Sequence, residues 1–237
     1  MARRSKGPSA VRQYRLLLGK DLRQEFRTFD LLSSMLIYAV LVIIVYGASL
    51  ATGAADADIA PLSGGLLWAL IVFTSLLGLN RSFAHEREQG ALEGILLAPL
   101  DRGAVYLAKA TSNLLFMLVT EVIAVPLYFF FMASGVTAST VGWLALVLLV
   151  GTVGMAGIGT MLATITAHTR GRDVLLAVLF IPLIFPLLYA CASATTAAIV
   201  GGAFWMDTYS LGLMLAGAYD AIMLAVCWWL YDFVIGA

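Results

Sequence analysis

Six apolar runs, each long enough to cross a hydrocarbon layer, leave this 237-residue chain one class of fold. A spanning helix needs roughly 20 apolar residues to cover about 30 Å of bilayer core. The runs fall at 31–50, 62–80, 104–132, 141–166, 174–200 and 208–235. Hydrophobic residues make up 62% of the chain and charged ones 12%, where a soluble domain carries about 25% charge. One water-soluble core could not hide so much apolar surface. A disordered chain would be polar and charge-rich instead. The sequence therefore predicts an all-α, polytopic membrane protein with six transmembrane helices.

The placement of charge orients those helices. The segment before the first run holds Arg3, Arg4, Lys6, Arg12, Arg15, Lys20, Arg23 and Arg27. The link between the second and third holds Arg81, Arg87 and Arg102, with Lys109 at the mouth of the third run. The link between the fourth and fifth holds Arg170 and Arg172, which completes the 14 basic residues. The other links, 51–61, 133–140 and 201–207, hold only Asp56, Asp58 and Asp207. Basic residues accumulate on the cytoplasmic side, so both termini are expected there. An odd number of spans would place basic residues on both sides. Net charge is zero, which gives a nucleic-acid partner no global electrostatic support, so none is expected.

Two parts follow: a basic N-terminal segment, 1–30, and a six-span domain, 31–237. Within 11–29, Val11, Tyr14, Leu18, Leu22, Phe26 and Phe29 recur at three- and four-residue spacing. Arg12, Lys20, Arg23 and Arg27 cluster on another side. Such a helix lies among lipid headgroups, its apolar stripe down and its basic side on anionic lipid. The alternative is a helix packed on the protein's own bundle. Glu25 interrupts the stripe, and Leu16 and Leu17 fall outside it. The basic region is too long, and the run after it too complete, for a cleavable signal peptide.

The chain carries no phosphate-loop pattern G-x-x-x-x-G-K-[ST]; Gly19-Lys20 is followed by Asp21. It is not expected to hydrolyse ATP, and no catalytic residue is assigned. Cys191 and Cys227 sit singly inside spans, without metal-ligand spacing, and read as small buried hydrophobes. His85 and His168 are the only histidines, and both fall on the basic side. No metal site is expected.

The most informative stretch is 81–103, between the second and third spans. It is too long for a passive turn, since bundle connections usually take about 2–8 residues. Leu92, Ile95 and Leu96 share one helical face, with Glu86, Glu88, Gln89 and Glu93 around it. Pro99 ends the pattern, and Asp101 is placed to cap the third span. The expectation is a short cytoplasmic helix at about 85–97, parallel to the membrane and joined at both ends to spanning helices. A protein gripping it would move both spans. One reading is that it only seals the bundle; but three acids beside anionic lipid suit a basic protein partner better. The second basic link, with Arg170, Arg172 and Asp173, is explained by topology alone or by a secondary contact with the same partner.

Inside the bilayer, Glu121 and Asp220 are costly groups that should face protein or a wet cavity. Each reads either as a functional group or as a carboxylic acid hydrogen-bonded to a neighbouring helix. Pro126 should bend the third span, and Pro182 with Pro186 the fifth. Gly151, Gly154, Gly157 and Gly159 allow helices to approach the fourth closely.

The run 83–109, FAHEREQGALEGILLAPLDRGAVYLAK, resembles the haem exporter protein B (CcmB) family. These are membrane subunits of ATP-binding-cassette (ABC) complexes in bacterial cytochrome c maturation. The resemblance continues through LVGTVGMAGIG at 149–159 and IPLIFPLL at 181–188, and covers most of 65–190. The Glu/Arg–Gly–apolar–Pro pattern is shared with other type-2 ABC exporter permeases. The resemblance implies a bacterial inner-membrane protein that pairs with itself. A CcmA-type ATPase would bind ATP and grip the coupling helix at Arg81, His85, Glu86, Arg87, Glu88, Gly90, Leu92, Glu93 and Leu96. CcmC- and CcmD-type proteins and the chaperone CcmE would handle haem, which is cargo and not a cofactor of this chain. Two other classes stay open: a permease of this architecture for a lipid, drug or polysaccharide, and a non-transporting scaffold of a haem-handling complex.

Overall fold

The computed structural model describes residues 9–53, 59–88, 101–132, 136–167, 169 and 171–234. Among the described residues the regular structure is helical throughout. The helices are α1 (Ala10–Thr28), α2 (Asp30–Gly53), α3 (Ala60–Glu88), α4 (Arg102–Met132), α5 (Ala138–Thr166), α6 (Arg172–Val200) and α7 (Trp205–Val234). Six of them, α2 to α7, are long and apolar enough to cross a membrane. Their edges match the six apolar runs to about one turn, except that α3 runs on eight residues past the end of its run, to Glu88. The bundle is apolar outside as well as inside. Ile37, Phe130, Val174, Met214 and Trp229 all point away from it. On a soluble protein such a surface would aggregate; around a spanning bundle it meets hydrocarbon.

Helix α5 packs on α3, α4, α6 and α7. Its four glycines make that possible. A side-chain carbon on Gly151 would sit 2.2 Å from Trp68 of α3, and one on Gly159 2.3 Å from Leu79. On the other side, Gly154 faces Asp220 and Gly157 faces Leu224, both of α7. Each glycine thus receives one large side chain from a neighbour. The expectation of close helix approach holds, and its reason is steric.

Polar groups rivet the helices where apolar contact alone gives little specificity. Trp68 Nε1 donates to Thr195 Oγ1 at 2.9 Å, joining α3 to α6. Asn113 Nδ2 donates to Thr160 Oγ1 at 2.9 Å, joining α4 to α5. Tyr128 OH donates to the Ser63 carbonyl at 2.8 Å, and Tyr209 OH to the Trp143 carbonyl at 2.9 Å. Helix α4 runs through Pro126 and α6 through Pro182 and Pro186 as single helices. A proline leaves the preceding turn short of a donor. In the turn before Pro186, the Leu183 carbonyl accepts the Tyr219 hydroxyl from α7.

Helix α1 packs along α4 and touches α2. The face it turns inward is not the apolar stripe. Gln13 and Glu25 are buried there, with Asp21 between them. Val11 and Phe26 of the stripe are 69% and 62% exposed. Glu25, which breaks the amphipathic pattern, has a structural task. Phe29 takes a left-handed conformation (φ 53°) that ends α1. One residue later α2 begins, and Glu25 Oε1 accepts the Leu32 amide at 2.8 Å. That bond satisfies one of the free amides at the start of α2. Helix α1 is thus packed on the bundle, as the alternative reading has it, through a polar face joined by Tyr14 and Leu22 of the stripe, while Val11, Phe26 and Phe29 stay open on the outside.

Adjacent glycines on α3 give a matched test of this packing. A carbon added to Gly64 would meet the Ala192 carbonyl at 2.6 Å and the Thr196 amide at 2.9 Å, both backbone of α6. Nothing lies within 4 Å of the same position on Gly65. Thermal unfolding in detergent is expected to show Gly64→Ala destabilised by about 1–3 kcal/mol. Gly65→Ala is expected to be neutral or stabilised by up to about 1 kcal/mol.

Candidate functional site

The link singled out by the sequence leaves the bundle on α3 and returns on α4. Helix α3 continues without a break through Glu88, so the backbone of His85, Glu86, Arg87 and Glu88 extends the second span. Of the expected helix at 85–97, only the backbone of 85–88 lies within the described residues, and it continues α3. Gly90, Leu92, Glu93 and Leu96 lie outside the described residues, as do the side chains of His85, Glu86, Arg87 and Glu88.

Both legs of the link are tied to the N-terminal helices. On the outgoing leg, Arg81 Nη1 lies 3.2 Å from Asp30 Oδ1 at the start of α2. On the return leg, Asp101 caps α4 as expected, its Oδ1 accepting the Ala104 amide at 3.1 Å. The Asp101 amide itself donates to Gln13 Oε1 of α1 at 2.8 Å. Two turns further along α4, Lys109 Nζ reaches Asp21 Oδ2 at 2.7 Å, with side chains only 5% and 10% exposed. Ser112 Oγ donates to the same Asp21 oxygen at 3.2 Å, and Tyr14 OH to Thr111 Oγ1 at 3.3 Å. A small polar crevice lies between α1, α2, α3 and α4, lined by Asp21, Glu25, Asp30, Arg81 and Lys109 among others.

The physical reason for the Lys109–Asp21 pair is plain. A lysine inside a span cannot leave its charge unpaired without a cost of several kcal/mol. Asp21 of α1 supplies the partner charge, and Ser112 a further hydrogen bond. The pair thereby fixes α1 against α4. No group of three or more His, Cys, Asp and Glu side chains capable of holding a metal occurs among the described residues. What this arrangement can do is mechanical. Displacement of the link must pull on α3 and α4, and through them on α1 and α2.

The other expected positions fall elsewhere. Arg172 Nε pairs with its neighbour Asp173 at 3.2 Å at the start of α6, and Arg170 lies outside the described residues. Glu121 is buried, and Thr152 Oγ1 of α5 donates to its Oε1 at 2.6 Å. It borders a small cavity with Met35, Thr74, Ser75 and Thr120. A carboxyl in either protonation state can accept that bond, so both readings of Glu121 stay open. Asp220 is also buried, against Gly154, and among the described residues neither of its oxygens has a hydrogen-bond partner. Thr152 and Gly154 are two residues apart on a helix of 3.6 residues per turn, so the two acids abut opposite sides of α5. The structure does not bring them together.

Sequence reasoning missed Gln13 and Asp21 as partners of α4, and Thr152 as partner of Glu121. One signal was available: Lys109 in an otherwise apolar stretch calls for an acid. Nothing in spacing pointed to Asp21, 88 residues away.

The sequence matches the family model described as CcmB protein over residues 12–228, which takes in nearly all of α1 to α7. It is 31% identical to heme exporter protein B of Pseudomonas aeruginosa over 188 residues, 79% of this chain and 82% of that protein. It is 30% identical to heme exporter protein B of Rhodobacter capsulatus over 174 residues, 73% of this chain and 78% of that protein. The match to heme exporter protein B of Bradyrhizobium diazoefficiens is 28% over 186 residues, 78% of this chain and 82% of that protein.

The buried pair is open to direct measurement. Lys109→Ala leaves Asp21 only the part-exposed Lys20, at 3.2 Å, as counter-charge and is expected to cost about 3 kcal/mol in unfolding from detergent, the low end for a broken buried pair. Replacing both partners, Lys109→Met with Asp21→Leu, is expected to recover most of that loss, since an apolar pair of similar volume needs no counter-charge.

Proposed function

Because this chain belongs to the CcmB family of multi-pass bacterial inner-membrane proteins, we propose that it is the membrane subunit of an ATP-driven complex serving haem export in cytochrome c maturation. It supplies no ATPase of its own. A separate CcmA-type subunit binds and hydrolyses ATP at the cytoplasmic face and docks on the link at 85–97. Glu86, Glu88 and Glu93 offer that subunit an acidic surface. The charge partition puts the link and both termini on the cytoplasmic side. Two copies of the chain form the membrane core. CcmC- and CcmD-type proteins bring haem, and the motion drives haem hand-over or release of haem-loaded CcmE on the outer face. With both histidines, His85 and His168, on the basic side of the chain, a histidine ligand for haem on the opposite side comes from those partners.

The observation that carries this reading is the tie at both legs of the link. Arg81 to Asp30 and Asp101 to Gln13 join it to α2 and α1. A docked ATPase thus pulls on four helices at once, as a coupling device requires and an inert seal does not. A scaffold would need no such bracing.

Two substitutions test it. Glu86→Lys combined with Glu93→Lys is expected to abolish co-purification of the ATPase subunit and cytochrome c maturation while membrane insertion persists. Normal maturation with the ATPase still bound would refute coupling through this link. Glu121→Gln keeps an acceptor for Thr152 in the same space. Maturation, read as haem-stained cytochrome c, is expected to stay near wild type; a severe defect would give Glu121 a charged role.

A further inference from the structure

The outward side of α1 carries a feature that the coupling reading does not use. Around the helix three arcs follow one another. Gln13, Leu17, Asp21 and Glu25 face the bundle, and Leu18, Val11, Leu22 and Phe26 form an apolar arc beside them. Beyond that arc comes the basic one, and a groove runs along it. Its floor is Gly19, where nothing lies within 4 Å of an added side-chain carbon. Arg15, Lys20, Arg23 and Arg27 line it together with Leu16, and among the described residues no acidic one does. Arg15, Arg23 and Arg27 have no carboxylate within 4 Å among the described residues. Lys20 is shared with Asp21 at 3.2 Å.

We propose that this groove binds the headgroup of an anionic phospholipid from the cytoplasmic leaflet. Three observations place a lipid there. The groove holds four cations and no acid, so its charge is complementary to a phosphodiester bearing net negative charge. It borders the apolar arc, where Val11 and Phe26 stand exposed, so acyl chains and headgroup meet matching surfaces on one helix. And α1 is held at the membrane boundary: one residue separates it from the spanning helix α2, and the Lys109–Asp21 pair clamps it to α4. A soluble acidic protein would account for the cations but not for the apolar arc beside them. The inference stands independently of the coupling reading.

The test uses the purified full-length protein, titrated with phosphatidylglycerol or phosphatidylcholine, with bound lipid counted by native mass spectrometry. Wild type is expected to retain phosphatidylglycerol at least tenfold more tightly. The variant Arg15→Gln, Lys20→Gln, Arg23→Gln, Arg27→Gln should lose that preference. The milder pair Arg23→Gln, Arg27→Gln should lose part of it, and decides the matter if the fourfold variant folds poorly. Arg12→Gln, on the same helix but outside the groove, should leave it intact. Gly19→Leu, which fills the floor without altering charge, should weaken retention as well. Equal retention of the two lipids by wild type overturns the proposal, as does an unchanged preference in the fourfold variant. Displacement of phosphatidylglycerol by equimolar inorganic phosphate overturns it in favour of a free anion. Loss of the ATPase subunit from the fourfold variant with lipid preference unchanged assigns the face to a protein instead.

Discussion

Close approach to α5 is the constraint on which the rest of this structure depends. Between helices in a bilayer there is little hydrophobic drive, because lipid tails are as apolar as leucine. Association then rests on fit and on polar groups that find partners. The glycines of α5 supply the fit. Trp68, Leu79, Asp220 and Leu224 enter the notches at Gly151, Gly159, Gly154 and Gly157, so helices on both sides close on α5 at once. With that spacing set, Asn113 reaches Thr160, and Tyr106 reaches the Gly157 carbonyl at 3.2 Å. Were α5 bulkier along this line, the bonds from α4 would have nothing in range.

The same logic governs the basic end, with charge in place of shape. Lys109 is too deep to leave its ammonium unpaired, and the helix that brings Asp21 to it is not a span at all. Helix α1 therefore does two things that pull against each other. It turns polar residues inward to satisfy α4 and the start of α2, and it leaves apolar residues outward. In water that would be an inverted helix. At a membrane boundary it is consistent, because the outside is lipid on one side and headgroups on the other.

This explains what was legible in the sequence and what was not. The six spans were legible because hydrocarbon thickness sets a length that composition alone reveals. The cap at Asp101 was legible because it is local: a side chain bonding an amide three residues on. The small-residue line on α5 was legible as a stripe, though not which side chains fill it. Glu25 looked like an error in an amphipathic pattern, because its partner, the Leu32 amide, exists only once the chain reverses at Phe29. Asp21 and Thr152 were not legible, since their partners lie 88 and 31 residues away and only the packing of helices brings them near. Long-range polar pairing follows from the fold and is not written in spacing.

A joint that carries load must resist sliding as well as separation. Apolar helix faces in lipid slide easily, since one greasy contact replaces another at little cost. A buried ion pair cannot shift in that way: moving Lys109 by one turn would strand its ammonium in a dry site, at several kcal/mol, and leave Asp21 only the part-exposed Lys20. The Arg81–Asp30 pair is exposed and weaker, so it steadies the outgoing leg without anchoring it, while the buried Gln13 side chain holds the returning leg through the Asp101 amide. The anchoring falls to Lys109 and Asp21. The pair therefore holds α1 and α4 as one body beside the returning leg of the link, and deeper in the bundle the Glu121–Thr152 bond adds a polar contact between α4 and α5 next to a small cavity.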